Sequence, residues 1–320
     1  MAGYDVVVVG AGPSGAACAY HAARRGLRVL LLEARRLPRR KLCSGVLTYW
    51  SERDAAAIIG PDALEQVTTG RFAQTALTNG HVLHHRTLRL VDRPRFDLAL
   101  AEAAARAGAD VLDGVRVTVR PDDAPLVVDA TGSAALMGRR LQRRERLHFG
   151  VELAVPGEAD ACRLNFALPG GYWWSFPHDG FAAIGGATWR RDLWAGLPDG
   201  ALGMWRAIDA PRPRGHMLRR AWGPVAAPGL LLVGEAAGAL DQALGEGIRF
   251  ALWTGKLAGE AAALGPGRAP AAYAAAFRRQ VAPLLAMRDV AAAMRDRLPC
   301  EVLISGPLGS ATLSHYLGAA

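Results

Sequence analysis

DVVVVGAGPSG, residues 5–15, decides the fold. Four consecutive valines, Val6–Val9, read as a fully buried strand, and the glycines after them stop it and open a helix at Pro13. Gly10-Ala11-Gly12-Pro13-Ser14-Gly15 fits G-x-G-x-x-G in the context that pattern needs. Gly10 permits the tight turn, Gly12 lets a pyrophosphate approach the backbone, and Gly15 lets helix and strand pack closely. Such a turn aims unpaired N–H groups and the positive end of a helix at one point, where an anion can sit. The helix is expected over Pro13–Arg25, kept thin by its alanines and ended by Gly26. Glu33, with Ala34 beside it, closes the next strand, Val29–Leu32, at the spacing of an acid that hydrogen-bonds a ribose.

A second turn of the same kind lies far along the chain, in LLLVGEAAGALDQALGEGI, residues 230–248. Here the apolar strand Leu230–Val233 runs into Gly234-Glu235, and Gly245-Glu246-Gly247 precedes a helix beginning at Ile248. Two anion-receiving turns suit a long, two-ended ligand, a dinucleotide rather than a lone phosphate. Gly255 and Gly259, four apart, let the helix after the second turn pack closely on a neighbour.

Between the turns the character alternates. Residues 71–91 read as short β segments with Asn79-Gly80 as a hairpin signal. Phe96–Ala107 reads as an alanine-rich helix, and Val111–Val119 and Leu126–Val128 as strands, the last ending in Asp129-Ala130-Thr131-Gly132. Leu147–Trp189 is β in flavour. Within it Tyr172, Trp174 and Phe176-Pro177 alternate, so their rings are expected on one face. Residues 271–298 have a helical pattern interrupted by Pro283. The expected architecture is therefore α/β. A discontinuous Rossmann-like nucleotide-binding domain (1–70, 92–140 and 225–265) carries an inserted antiparallel β-sheet domain (71–91 and 141–224) and a C-terminal helical region (266–320).

Composition narrows the class. The chain has 320 residues, 51% apolar and 7% aromatic, enough for two substructures with their own cores. No apolar run is long enough to span a bilayer, and with a strand already at Val6–Val9 no secretory signal is expected ahead of it. Cys18, Cys43, Cys162 and Cys300 stand apart, without CxxC pairs, which suits a reducing cytoplasm. His81, His84, His85, His148 and His178 lack ligand spacing, so no metal is expected. The net charge of +9 is carried almost wholly by arginine, with Lys41 and Lys256 the only lysines. We read this excess as compositional, so no nucleic-acid partner is expected; peripheral membrane contact is the lesser reading.

The order GAGPSG, VDRPRFDLAL, VVDATG, GYWWSFP and GEAAG…GEGI resembles the geranylgeranyl reductase family, within the wider group of FAD enzymes similar to p-hydroxybenzoate hydroxylase. The resemblance runs from Tyr4 to about Ala263 and implies FAD as cofactor. It places Arg93 beside the FAD chain, the adenosine half at Asp129 and Ala130-Thr131-Gly132, and the ribityl chain at Gly234-Glu235, where the family usually has aspartate. Gly245, Gly247 and Ile248 then aim N–H groups at the N1 and C2 carbonyl edge of the flavin. Tyr172, Trp174, Phe176 and Pro177 line a substrate cavity, and Cys43 and Gly45 belong to a loop near the isoalloxazine, with Ser44 departing from the family pattern.

The implied activity is hydride delivery from reduced flavin N5 to a C=C bond of an apolar, isoprenoid-type substrate. The alternatives on this scaffold are an aromatic monooxygenase working through a flavin hydroperoxide, a flavin halogenase, and a non-redox FAD protein. A second G-x-G-x-x-G is lacking, so NAD(P)H is expected only as a transient reductant, or a separate electron-donor protein takes its place.

Overall fold

The computed structural model describes residues 3–77, 80, 82–121, 123–157, 161–205 and 212–297. The chain opens with β1 (Val6–Val9), α1 (Pro13–Ala23), β2 (Val29–Glu33), β3 (Val46–Leu47), α2 (Tyr49–Ile59), α3 (Pro61–Gln66), β4 (Thr68–Leu77) and β5 (Val82–Val91). It continues through α4 (Arg93–Arg106), β6 (Asp110–Asp113), β7 (Val127–Asp129), β8 (Arg144–Pro156), β9 (Cys162–Asn165), β10 (Gly171–His178) and β11 (Phe181–Thr188). It closes with α5 (Leu197–Met204), β12 (Arg214–Trp222), β13 (Ala226–Ala227), β14 (Leu230–Leu232), α6 (Ile248–Ala262), α7 (Ala269–Gln280) and α8 (Ala282–Arg295).

Two sheets result. The first, in the order β13-β14-β7-β1-β2-β6, is parallel except for the β13–β14 pair. Its central strands are buried throughout and apolar except for their last residues, Glu33 of β2 and Asp129 of β7, as strands covered on both faces must be. The second, in the order β12-β8-β11-β10-β9-β4-β5-β3, is antiparallel except where β4 runs parallel to β9. It takes in Val46–Leu47 and Thr68–Gly70 as well, which lie in the first segment of the boundaries drawn from sequence.

The valines of β1 are buried, and the chain turns at Gly10 with φ +106, where a Cβ would stand 2.4 Å from the Ala130 carbonyl oxygen. Only glycine accepts both that φ and that approach. The alanines of α1 let it lie between the first sheet and α6. A Cβ on Gly255 would fall 2.2 Å from the Ser14 carbonyl oxygen, and one on Gly259 2.6 Å from that of Cys18, so the two helices touch backbone to side-chainless backbone.

Several expectations shift. Helix α4 begins at Arg93 rather than Phe96, because Asp92 accepts the Arg95 N–H at 2.9 Å and Pro94 occupies the first turn. The strand expected over Val111–Val119 stops at Asp113. Gly114 turns the chain at φ +75, the Val115 N–H goes to the Glu33 carbonyl, and Val119 is left 73% exposed. The C-terminal pattern splits into α7 and α8 at Val281, with Pro283 in the first turn of α8. Helices α2, α3 and α5 were not anticipated. Asn79, His81, Leu298 and Cys300 lie outside the described residues.

The α1–α6 contact gives a direct test. Gly255→Val is expected to lower stability by roughly 1–3 kcal/mol through overpacking, measured by urea denaturation. An unchanged midpoint would mean the helices do not meet as described.

Candidate active site

The first glycine turn, the end of β7 and the second glycine turn converge. Glycine is required at position 15, where a Cβ would come 1.8 Å from the Gly10 carbonyl oxygen. At Gly12, by contrast, a Cβ would meet no backbone, only the Arg39 guanidinium at 3.6 Å. A Cβ on Gly234 would lie 2.8 Å from the Ser14 hydroxyl, and the Gly234 N–H donates to Thr254 Oγ1 at 2.8 Å. Pro13, Ser14 and Gly15 form the first turn of α1, where N–H groups have no partner four residues back. Asp129, fully buried, accepts from the Thr131 hydroxyl at 2.6 Å and from the Met137 and Gly138 N–H groups, which fixes Ala130-Thr131-Gly132 under the turn. Glu235 reaches the same place. Its Oε2 is 3.7 Å from where a Gly132 Cβ would be, and its Oε1 accepts the Arg219 N–H at 3.2 Å. Burial pushes its pKa up, opposed by Lys41 and Arg93 nearby.

Glu33 caps a buried ionic chain. Its Oε2 accepts from the Ala11 N–H at 3.0 Å and from Arg39 Nε at 3.0 Å, while Ala34 lies between it and Arg35, whose N–H donates to Oε1. Arg39 also binds Asp97 at 3.0 Å, and Asp97 binds Arg93 at 3.0 Å. Arg93 is therefore buried and paired; burial opposes its charge, but Asp97 and Cys43 hold its pKa above the usual value.

Beyond Glu235 the cleft opens into a cavity. Gly245, Gly247 and Ile248 form one wall, Cys43 and Gly45 a second, and Tyr172, Trp174 and Phe176 a third. The alternation expected along β10 holds for these three rings. Pro177 is not in the cavity wall: it lies on the opposite face with Trp173, and its carbonyl abuts Gly70. Trp173 packs instead with Val151, Leu168, Leu197 and Ala201. Gly45 is needed because φ is +73 and a Cβ would sit 2.2 Å from the Val91 carbonyl oxygen. Gly245 turns at φ +72 over the Tyr172 hydroxyl, which donates to the Leu244 carbonyl at 2.6 Å. Ile248 starts α6, whose first-turn N–H groups face this end of the cleft.

Polar groups to which sequence reasoning gave no site role, Glu152, His148, His216, Asp241 and Arg295, also line the cavity. Glu152 accepts from Trp174 Nε1–H at 3.0 Å and contacts the Ser44 hydroxyl. Lys41 contacts His216, whose burial, with Lys41 beside it, pushes its pKa down to about 3. His148 is buried too and its pKa is pushed down to about 4. Asp241 accepts the Ala243 N–H at 2.7 Å and faces Arg288 at 3.6 Å. Arg295 of α8 donates to the Gln242 and Ala243 carbonyls. The one available signal was the glutamate in GVELAV, a charge at an inward position of an alternating strand.

Glu246 stands between the two glycines, in contact with the Thr48 hydroxyl and 3.9 Å from Arg249. Burial raises its pKa from 4.5 to about 7, with Arg249 and Thr48 pulling the other way. A carboxyl raised on folding contributes stability that is fully present below its unfolded pKa and is lost as pH rises through the folded one. Glu246→Gln is therefore expected to match wild type near pH 4 and to become the more stable protein as pH rises from about 4.5 to 7, measured by denaturant titration. A gap that does not change over that window would contradict the burial of this carboxylate.

Comparison with known proteins agrees with this geometry. Residues 5–51 match the family described as FAD dependent oxidoreductase. The chain is 28% identical over 313 residues to the geranylgeranyl diphosphate reductase of Rhodobacter capsulatus, covering 81% of this chain and 75% of that protein. Among solved structures it shares its fold with a geranylgeranyl bacteriochlorophyll reductase-like protein from Thermoplasma acidophilum (TM-score 0.71, 20% identity, 99% of this chain and 97% of that one). It shares it also with the flavin-dependent brominase Bmp2 (TM-score 0.80, 17% identity, 98% and 93% covered). The chain is an FAD-dependent oxidoreductase, similar in sequence to geranylgeranyl reductases.

Proposed function

We propose that FAD lies along the cleft from Glu33 to Ile248, and that the cavity beyond receives an apolar substrate whose C=C bond is reduced. The first sheet with its helices is then the FAD domain, and the second sheet supplies the substrate wall. The residues fit the cofactor on one specific point: Gly10 and Gly15 are packed against backbone, while the outer side of Gly12 meets only a guanidinium, that of Arg39 at 3.6 Å, which suits an approaching pyrophosphate. Gly12, Ser14 and Gly15 would hold the pyrophosphate and Glu33 and Ala34 the adenosine ribose, with Pro13 shaping the turn. Arg93, Ala130, Thr131 and Gly132 would flank the chain, Gly234 and Glu235 the ribityl group, and Gly245, Gly247 and Ile248 the pyrimidine edge. Bound FAD supplies two electrons as a hydride, refilled by NAD(P)H or an electron-donor protein that visits transiently.

The observation that carries the reading is the cavity itself. Its walls near Cys43 and Gly45 are largely apolar, with Val46, Trp174, Phe176 and Leu218, and it opens on the start of α6. Such walls exclude water and orient a hydrocarbon chain by shape. The N–H groups at Ile248 would favour negative charge at the adjoining cofactor edge by roughly 0.3–1 kcal/mol, more where buried. The same aromatic walls also suit a planar ring, so aromatic hydroxylation is the second reading.

Gly12→Val is expected to lose FAD by flavin absorbance while the apo protein still folds, because φ at Gly12 is −77 and a Cβ there meets only the Arg39 guanidinium, at van der Waals distance. Retained flavin would refute the pyrophosphate site. Trp174→Ala should keep bound FAD and lower substrate turnover at least tenfold; loss of FAD would make Trp174 a core residue instead. Supplying oxygen-18 gas to the reduced protein with aromatic substrates separates the two readings. No labelled product is expected, and labelled phenols would establish the hydroxylase.

A further inference from the structure

One wall of the cavity carries a buried carboxyl that sequence reasoning did not single out, Glu152. Glu152 sits mid-way along β8, 8% exposed, between Gly185 of β11 and Arg214 of β12. Its Oε2 accepts the Trp174 indole N–H at 3.0 Å and meets the Ser44 hydroxyl, so the carboxyl joins the aromatic wall to the Cys43–Gly45 loop. The carboxyl also accepts a hydrogen bond from the Cys43 backbone. We propose that Glu152 carries a proton in this cavity and delivers it to the substrate.

This rests on the proposed alkene reduction. The Glu152 O–H bond breaks and a C–H bond forms at one alkene carbon with the π pair. The neighbouring carbon takes the hydride that reduced flavin supplies, and the carboxylate recovers a proton from solvent. Other groups of the cavity are engaged elsewhere: Asp241 accepts the Ala243 N–H and faces Arg288. The Tyr172 hydroxyl donates to the Leu244 carbonyl, His216 and His148 are held unprotonated at neutral pH, and Glu246 is turned to Thr48 and Arg249. The groups around Glu152 are Cys43 and Ser44 on the loop, Arg93 on α4, Trp174 on β10, Arg214 and His216 on β12, and His148 on its own strand. Burial outweighs the hydrogen bonds and Arg93 among them, so its pKa lies above the ordinary carboxyl value.

The test compares wild type, Glu152→Gln and Glu152→Ala, each holding FAD, reduced anaerobically and mixed with geranylgeraniol. Glutamine keeps an acceptor for Trp174 and Ser44 but has no acidic proton. We expect Glu152→Gln to retain FAD and wild-type tryptophan emission yet reduce the alkene about 100-fold more slowly, as slowly as Glu152→Ala. Wild-type turnover should fall as pH rises through the Glu152 pKa, and the glutamine variant should lack that limb. Near-wild-type turnover by Glu152→Gln, with only Glu152→Ala impaired, would make Glu152 a tether and overturn the proposal. Infrared difference spectra of wild type against Glu152→Gln give a readout independent of turnover. A protonated carboxyl band at neutral pH supports the assignment, and its absence overturns it. Should wild type itself reduce no alkene, the proposed function fails, and the infrared band still decides where the proton resides.

Discussion

The site depends on how closely two helices approach. Helix α1 carries the first glycine turn at its start and α6 follows the second, and they meet at Gly255 and Gly259 against the backbone of Ser14 and Cys18. That contact sets the distance between Ser14 and Gly234, and from there between Glu235 and Gly132. The parallel strands β14, β7 and β1 hold the same three turns in register from the other side. Turns that are remote in the chain thus form one surface because small residues remove the side chains that would part them.

Charge is distributed unevenly along that surface. At one end Glu33, Arg39, Asp97 and Arg93 form a buried chain in which each charge has a partner. Losing one member of such a chain strands another in a low dielectric, which costs more than the pair contributes. Further along, burial pushes up the carboxyl pKa values of Glu235, Glu152, Asp241 and Glu246, opposed in each case by a nearby cation. Helix α8, the last of the described helices, braces the second region. Asp289 binds Arg220 at 2.8 Å, and Arg295 holds the carbonyls of Gln242 and Ala243.

Much of this was legible in the chain. The first βαβ unit, both glycine turns and the alternation of Tyr172, Trp174 and Phe176 follow from local rules, since a four-valine strand or a G-x-G-x-x-G turn needs little tertiary context. What escaped depends on partners distant in sequence. Helices α2 and α3 are short and are stabilised by packing Ala55, Ile58, Ile59 and Leu64 on the first core, which no local pattern announces. The strand expected to run on to Val119 had the right residues, but its partner β2 ends at Glu33 and Gly114 turns the chain there. Pro177 shares a motif with Phe176 yet faces the other way, as strand period requires. Glu152 was missed because its importance comes from Trp174 and Ser44, 22 and 108 residues away.

A crystal structure of the protein soaked with FAD tests the account most directly. The account predicts adenosine at Glu33 and Ala130–Gly132, pyrophosphate over Gly12, and the isoalloxazine between the Cys43–Gly45 loop and the start of α6, with Trp174 and Glu152 facing the open side of the ring. An isoalloxazine seated away from Gly245–Ile248, or pyrophosphate away from Gly12, would contradict it.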